Sequence, residues 1–246
     1  MTDRERFFRA HATVLSRDGA GGGIGTLGEK TMHAILKYYL DENPLDHEQK
    51  VRGFFADVLR NGEIFEIQTR NLNALRKKLD RLLPDYRVTV VHPIARERRI
   101  TWIDPETGEL SPKRKSPKRG RLTDAIPELY RLRPYLTSPS LSVRLLLLDC
   151  DEYKRRSPEK RAWRKSERVE RIPYELVSDI TLARPDDYRI FLPDCLPPRF
   201  GSAQLAEALR IPRPQAGVAL LLLTDLGLVE RVGREGRAIV YEKIAR

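Results

Sequence analysis

Apolar and polar positions recur with a changing period along the 246 residues, and each change marks an element. Leu27, Ile35, Leu36, Tyr39 and Leu40 share a rough helical face. Thr26 is a good N-cap for that helix, and Glu29 three residues on completes a capping box. The run Asp-Glu-Asn-Pro at 41–44 stops it. Two β-prone runs, 51–59 and 63–69, flank Asn61-Gly62, the strongest short-range hairpin signal. Leu72, Leu75, Leu79, Leu82 and Leu83 form one stripe of a helix over 71–83, and Pro84 ends it. A strand follows over 86–94. Residues 95–110 read as a second hairpin turning at 104–108, and residues 111–121 as a basic loop. A helix over 123–136 precedes a buried strand over 143–149. Residues 154–171 read as a polar, partly helical excursion, and residues 172–198 carry little pattern.

The last block is clearer. Residues 202–209 form a short helix capped by Ser202. A turn at 210–213 leads to a second helix over 214–226 with Pro at its first position, where the missing N–H costs nothing. Gly227 ends it, and a hairpin folds around 233–236. Helix, turn, helix and β-wing is the order of a winged helix-turn-helix. The expected organisation is a flexible segment at 1–25, an α/β (α+β) domain at 26–198, and a small winged-helix domain at 199–246.

Composition narrows the classes. A hydrophobic fraction of 40% can build a core. No run approaches the roughly 18 apolar residues of a membrane span, and the first residues lack the apolar stretch of a secretory signal. Cys150 and Cys195 cannot make a disulfide framework or a zinc site by themselves. A reduced, cytoplasmic protein with no membrane partner is the expectation. The net charge of +11 divides into +2 over residues 1–95, +6 over 96–198 and +3 over 199–246. Such a surplus favours nucleic acid, foremost double-stranded DNA. Lys113, Arg114, Lys115, Lys118 and Arg119 would track phosphates from the basic loop. Arg213 and Gln215 at the second C-terminal helix, and Arg234 and Arg237 on the wing, would add contacts. The plain alternative for each is a solvated surface residue. The glycines at 23–28 mimic a phosphate-binding loop, but Glu29 sits between Gly28 and Lys30 and breaks the spacing.

The Asn61-Gly62 hairpin can be read for register. With these two as the loop, Leu59 faces Ile64, Asp57 faces Glu66 and Phe55 faces Gln68. Opposed Cβ atoms lie roughly 4.5–5.5 Å apart, and like charges there are destabilising. A divalent cation is the simplest compensation, and Mg²⁺ takes one or two carboxylates with water and phosphate oxygens. On a solvated face the same acids would pair with cations instead, Asp57 with Arg52 and Glu66 with Arg70 or Lys77. Glu29 would then be only a capping acid, and His33, four residues on, a surface histidine.

The element order and the residues Asp57 and Glu66-Ile67-Gln68 resemble the PD-(D/E)XK nuclease core, over roughly residues 26–94. The resemblance implies a restriction-endonuclease-like mixed sheet flanked by helices, and Mg²⁺- or Mn²⁺-dependent hydrolysis of DNA phosphodiesters. It implies metal ligation by Asp57, Glu66 and the carbonyl of Ile67, with Glu29 auxiliary. Gln68 stands where the family carries Lys, and Pro does not precede Asp57. Gln68 would position water, while a displaced base, Lys77 or Lys30, would supply charge. The missing Lys favours the alternative of a non-catalytic DNA-binding regulator or an inactive nuclease descendant. The charge permits RNA equally, and nothing in the pattern argues against a homodimer.

Overall fold

A computed structural model describes residues 1–18, 31–156 and 166–245. Helix α1 (Asp3–Asp18) occupies most of the segment expected to be flexible. Phe7, Ala10 and Val14 recur at helical spacing and are buried, which gives the helix its inner face. That face packs on α2 (Thr31–Leu40), where Phe7 meets Tyr39 edge to face with centroids 5.9 Å apart. The expected helix start at Thr26 and Glu29 lies outside the described residues.

Strands β1 (His47–Val51) and β2 (Phe54–Arg60) form an antiparallel hairpin through Arg52 and Gly53, at φ 49° and 86°. The run at 51–59 is therefore a strand end, a turn and a second strand. Asn61 and Gly62, at φ 51° and 78°, make the predicted two-residue turn into β3 (Glu63–Ile67). A 3-10 segment (Leu72–Leu75) leads into α3 (Arg76–Leu82), with Leu72, Leu75, Leu79 and Leu82 buried as the stripe predicts.

Three long strands replace what charge runs had divided. β4 (Arg87–Ile103) absorbs the start of the expected second hairpin, and only the bridge from Ile103 to Leu110 remains of its return. The basic loop adds a two-residue strand, β5 (Arg114–Lys115), antiparallel to β4. A 3-10 segment (Leu122–Ala125) opens α4 (Ile126–Leu132). β6 (Leu141–Arg156) and β7 (Ser166–Leu182) extend through both ends of the expected polar excursion; residues 157–165 lie outside the described residues. A 3-10 segment (Pro185–Phe191) precedes β8 (Arg199–Phe200), α5 (Ser202–Leu209), α6 (Arg213–Asp225), β9 (Val229–Glu235) and β10 (Ala238–Lys243).

The chain is thus mixed α+β, with a large mixed sheet flanked by helices. Its strand order is β1-β2-β3-β4-β6-β7, with β5 on β4, and β3 runs parallel to β4. A smaller sheet has the order β8-β10-β9. Two compact units emerge, each assembled from three stretches. The first is Met1–Asn61, Pro93–Gly120 and Leu146–Asp179; the second is Gly62–His92, Arg121–Leu145 and Ile180–Arg246. In the second unit, Arg121 donates to the carbonyls of Leu209 and Arg210 at 2.7 and 2.8 Å, and Gln215 to that of Thr123 at 2.6 Å. The α5–α6 block therefore shares its unit with the α4 region. Among the described residues, no helix is long and apolar enough to cross a membrane.

Candidate functional site

Glu66 lies within the parallel β3–β4 pairing, opposite Val90, and is 4% exposed. Isolated burial of a carboxylate is costly, and such groups are found with a cationic partner. The partner is Lys78 of α3, whose Nζ lies 2.6 Å from Glu66 Oε2. Lys78 follows Leu75 by three residues and precedes Leu79, so it rides at the edge of the buried stripe. Lys77, the cation named from sequence, sits on the exposed side of the same helix. The period of the stripe holds this distinction of one residue.

The neighbours of Glu66 are fixed by main-chain bonds within the same unit. Ile67 is buried. Gln68 N–H donates to the Val91 carbonyl at 2.9 Å, and the Gln68 carbonyl accepts from His92 Nδ1 at 2.7 Å. The Gln68 amide nitrogen donates to the Arg70 carbonyl at 2.7 Å. Burial lowers the His92 imidazole below its ordinary value, against the opposing pull of the Gln68 carbonyl and Glu128.

In the first unit, Asp57 Oδ2 lies 3.4 Å from His33 Nε2 of α2. His33 is therefore a partner of the predicted acid rather than a bare surface residue. Glu29 lies outside the described residues. Among the described residues, no group of three His, Cys, Asp or Glu side chains gathers around a common point.

The predicted basic contacts divide. Lys113 pairs with Asp151 at 2.6 Å, beside Arg99 at 2.7 Å. Lys115 and Arg119 pair with Glu97 at 2.6 and 3.0 Å. Lys115 and Arg119 tie β5 and the following stretch to β4, Lys113 reaches β6, and Arg114 and Lys118 are exposed. Arg213 donates to Ser202 Oγ at 3.2 Å, and Gln215 is committed to the Thr123 carbonyl. Arg234 and Arg237 are exposed at the β9–β10 turn.

Trp102 is a further aromatic candidate in the first unit. It stands half-buried on β4, with Lys154 and Arg156 of β6 each 5.9 Å from its ring. Alternate residues of one strand share a face, so the 154/156 spacing could have suggested this pair of cations.

Residues 30–183 match a family described as a domain of unknown function, DUF8091. The chain belongs to the DUF8091 family. The match includes Asp57, Glu66, Lys78 and Trp102, and it stops short of α5 and α6. A protein from Treponema pallidum (strain Nichols), described as uncharacterized, is 34% identical over 132 residues. That alignment covers 53% of this chain and 52% of the relative, so the chain spans about half the length of the relative it matches. No solved structure matches the chain.

Proposed function

We propose that this chain is a metal-dependent nuclease that hydrolyses DNA phosphodiesters. The observation that carries the reading is the Lys78 ammonium, 2.6 Å from the buried Glu66 carboxylate. It supplies, from α3, the positive charge that Gln68 cannot. The donor chemistry suits Mg²⁺: the Glu66 carboxylate and the Ile67 carbonyl are oxygen ligands, and Mg²⁺ keeps several waters when few carboxylates hold it. Asp57 enters through the sequence pattern as the second acid. The ion would lower the pKa of a bound water and neutralise phosphate charge. Lys78 holds a cation beside the acid, where it stabilises charge developing on phosphoryl oxygens. The His92–Gln68 bond fixes the backbone just after the Ile67 carbonyl. In this reading the core is restriction-endonuclease-like and the C-terminal block is a winged helix whose exposed Arg234 and Arg237 contact DNA backbone.

A second reading, DNA binding without cleavage, is favoured by the same pairs. Lys78 already offsets the Glu66 charge without an ion, and His33 stands beside Asp57. Plasmid cleavage in Mg²⁺ or Mn²⁺ separates them. The expected result is nicking by wild type, with rates about 10²–10³-fold lower in Lys78→Met, as for loss of a transition-state donor, and abolished in Glu66→Ala and Asp57→Ala. Wild type that binds DNA yet cleaves none across metals and substrates establishes the second reading.

A further inference from the structure

We infer that the Trp102 cleft of the first unit is a binding site for one unpaired nucleobase of a single-stranded nucleic acid, with a preference for a base that carries an exocyclic amino group over thymine or uracil. The inference rests on nucleic acid as the substrate class proposed above, but not on cleavage.

Trp102 lies between Thr101 and Ile103, both buried, so its ring projects to the other face of β4. A half-buried indole there borders a cleft of about 340 Å³, within the size range of small-ligand pockets. Its walls are mixed: Pro105 and Leu110 are apolar, whereas Asp104, Glu109 and Arg156 are charged. Lys154 and Arg156 approach the ring from β6. Lys154 also pairs with Glu152 at 3.2 Å, which leaves the exposed Arg156 as the main cation for a phosphate.

Each part matches a portion of a nucleotide. An indole face stacks any base, and such stacking is sequence-tolerant. Arg156 attracts the adjoining phosphate. Asp104 and Glu109 would repel a phosphate, so the base rather than the phosphate enters their side of the cleft. Carboxylates accept from the amino groups of cytosine N4, adenine N6 and guanine N2, which thymine and uracil lack. Asp104 Oδ1 accepts from the backbone N–H groups of Glu106 and Thr107, both at 2.9 Å, which fixes the orientation of its carboxylate at the cleft. A base paired in a duplex does not offer its face to a side chain, which selects for single strands.

The chain has two tryptophans, so Trp163→Phe leaves Trp102 as the sole indole reporter. In chelator, without divalent metal, this protein is titrated with short homopolymers of dA, dC and dT and with the matching RNA. Saturable quenching by dA and dC, weaker for dT, is expected. Binding of labelled oligonucleotide by otherwise wild-type protein should weaken about tenfold in Trp102→Ala, weaken little in Trp102→Phe, and weaken evenly across sequences in Arg156→Gln. Quenching by DNA or RNA supports the site, and the tighter of the two names the strand it serves. Unchanged fluorescence while oligonucleotide binds overturns the site even if Trp102→Ala fails to fold; equal response to dT overturns the base preference. Cleavage that depends on Lys78, with binding indifferent to Trp102, sinks this inference alone. Trp102-dependent binding without cleavage sinks the nuclease reading alone.

Discussion

His92 links the candidate site to pH. It is 5% exposed, and burial holds its imidazole below the ordinary 6.5. The unfolded chain takes up a proton near pH 6.5, whereas the folded chain resists until lower pH. Stability from His92 is therefore full above about pH 6.5 and declines as pH falls below it. His11 is shifted the same way by partial burial and adds to the slope. Melting temperature should fall between pH 7 and 5, and His92→Gln should flatten part of that fall. An unchanged slope in the variant would remove His92 as the cause. The two thiols make a second contrast. Burial pushes the Cys150 thiol up to about 12, whereas Cys195 is exposed. A thiolate-specific reagent should modify one cysteine in the native chain and two after unfolding; two rapid modifications in the native chain would contradict the burial.

At the element scale, Gly120 closes the stretch after β5 against β4. Its N–H donates to the Arg96 carbonyl at 2.8 Å, and a Cβ there would lie 2.3 Å from the Ala95 carbonyl oxygen. Gly120→Ala should lower stability by about 1–3 kcal/mol in denaturant melts, in the range for overpacking. A neutral result would show that this stretch yields freely. The same strands show where sequence reading succeeds and fails. The α3 stripe and the Asn61-Gly62 turn were legible, because each depends on local spacing or on one dipeptide. Helix α1 was hidden because Arg4, Arg6 and Arg9 interrupt the view of Phe7, Ala10 and Val14. β4, β6 and β7 were cut short because arginines and acids read as loop. In the folded chain, Arg96 meets Asp149 at 2.8 Å, Arg99 meets Asp151 at 2.7 Å and Arg171 meets Glu152 at 2.8 Å. Pairing between strands makes these residues acceptable in a sheet, and a single sequence does not display it. Of the candidate site, Glu66 was legible from the hairpin, but Lys78 required the helix phase to one residue.

For the whole molecule, the count of 46 Lys and Arg overstates the cations open to a polyanion, because 35 acids are present to pair with them. Lys113, Lys115 and Arg119 already face Asp151 and Glu97. Arg114, Lys118 and Arg156 are exposed in the same unit. With about 0.7 counterions released per single-strand phosphate contact, those three cations give a slope of about −2 for log affinity against log salt. Neutralising Lys115 should leave that slope nearly unchanged, and neutralising Lys118 should reduce it. A slope steeper than about −5 would show that the paired cations open to the ligand. The division into two units of three stretches each has a further consequence, for biosynthesis. The first unit has its opening stretch at Asn61 and its last only at Asp179. At roughly 5–20 residues per second of translation, its early hairpin and helices wait on the order of ten seconds for their partners. During that interval the opening stretch has only its own contacts, such as Phe7 against Tyr39, and the burial that the later stretches supply is still missing.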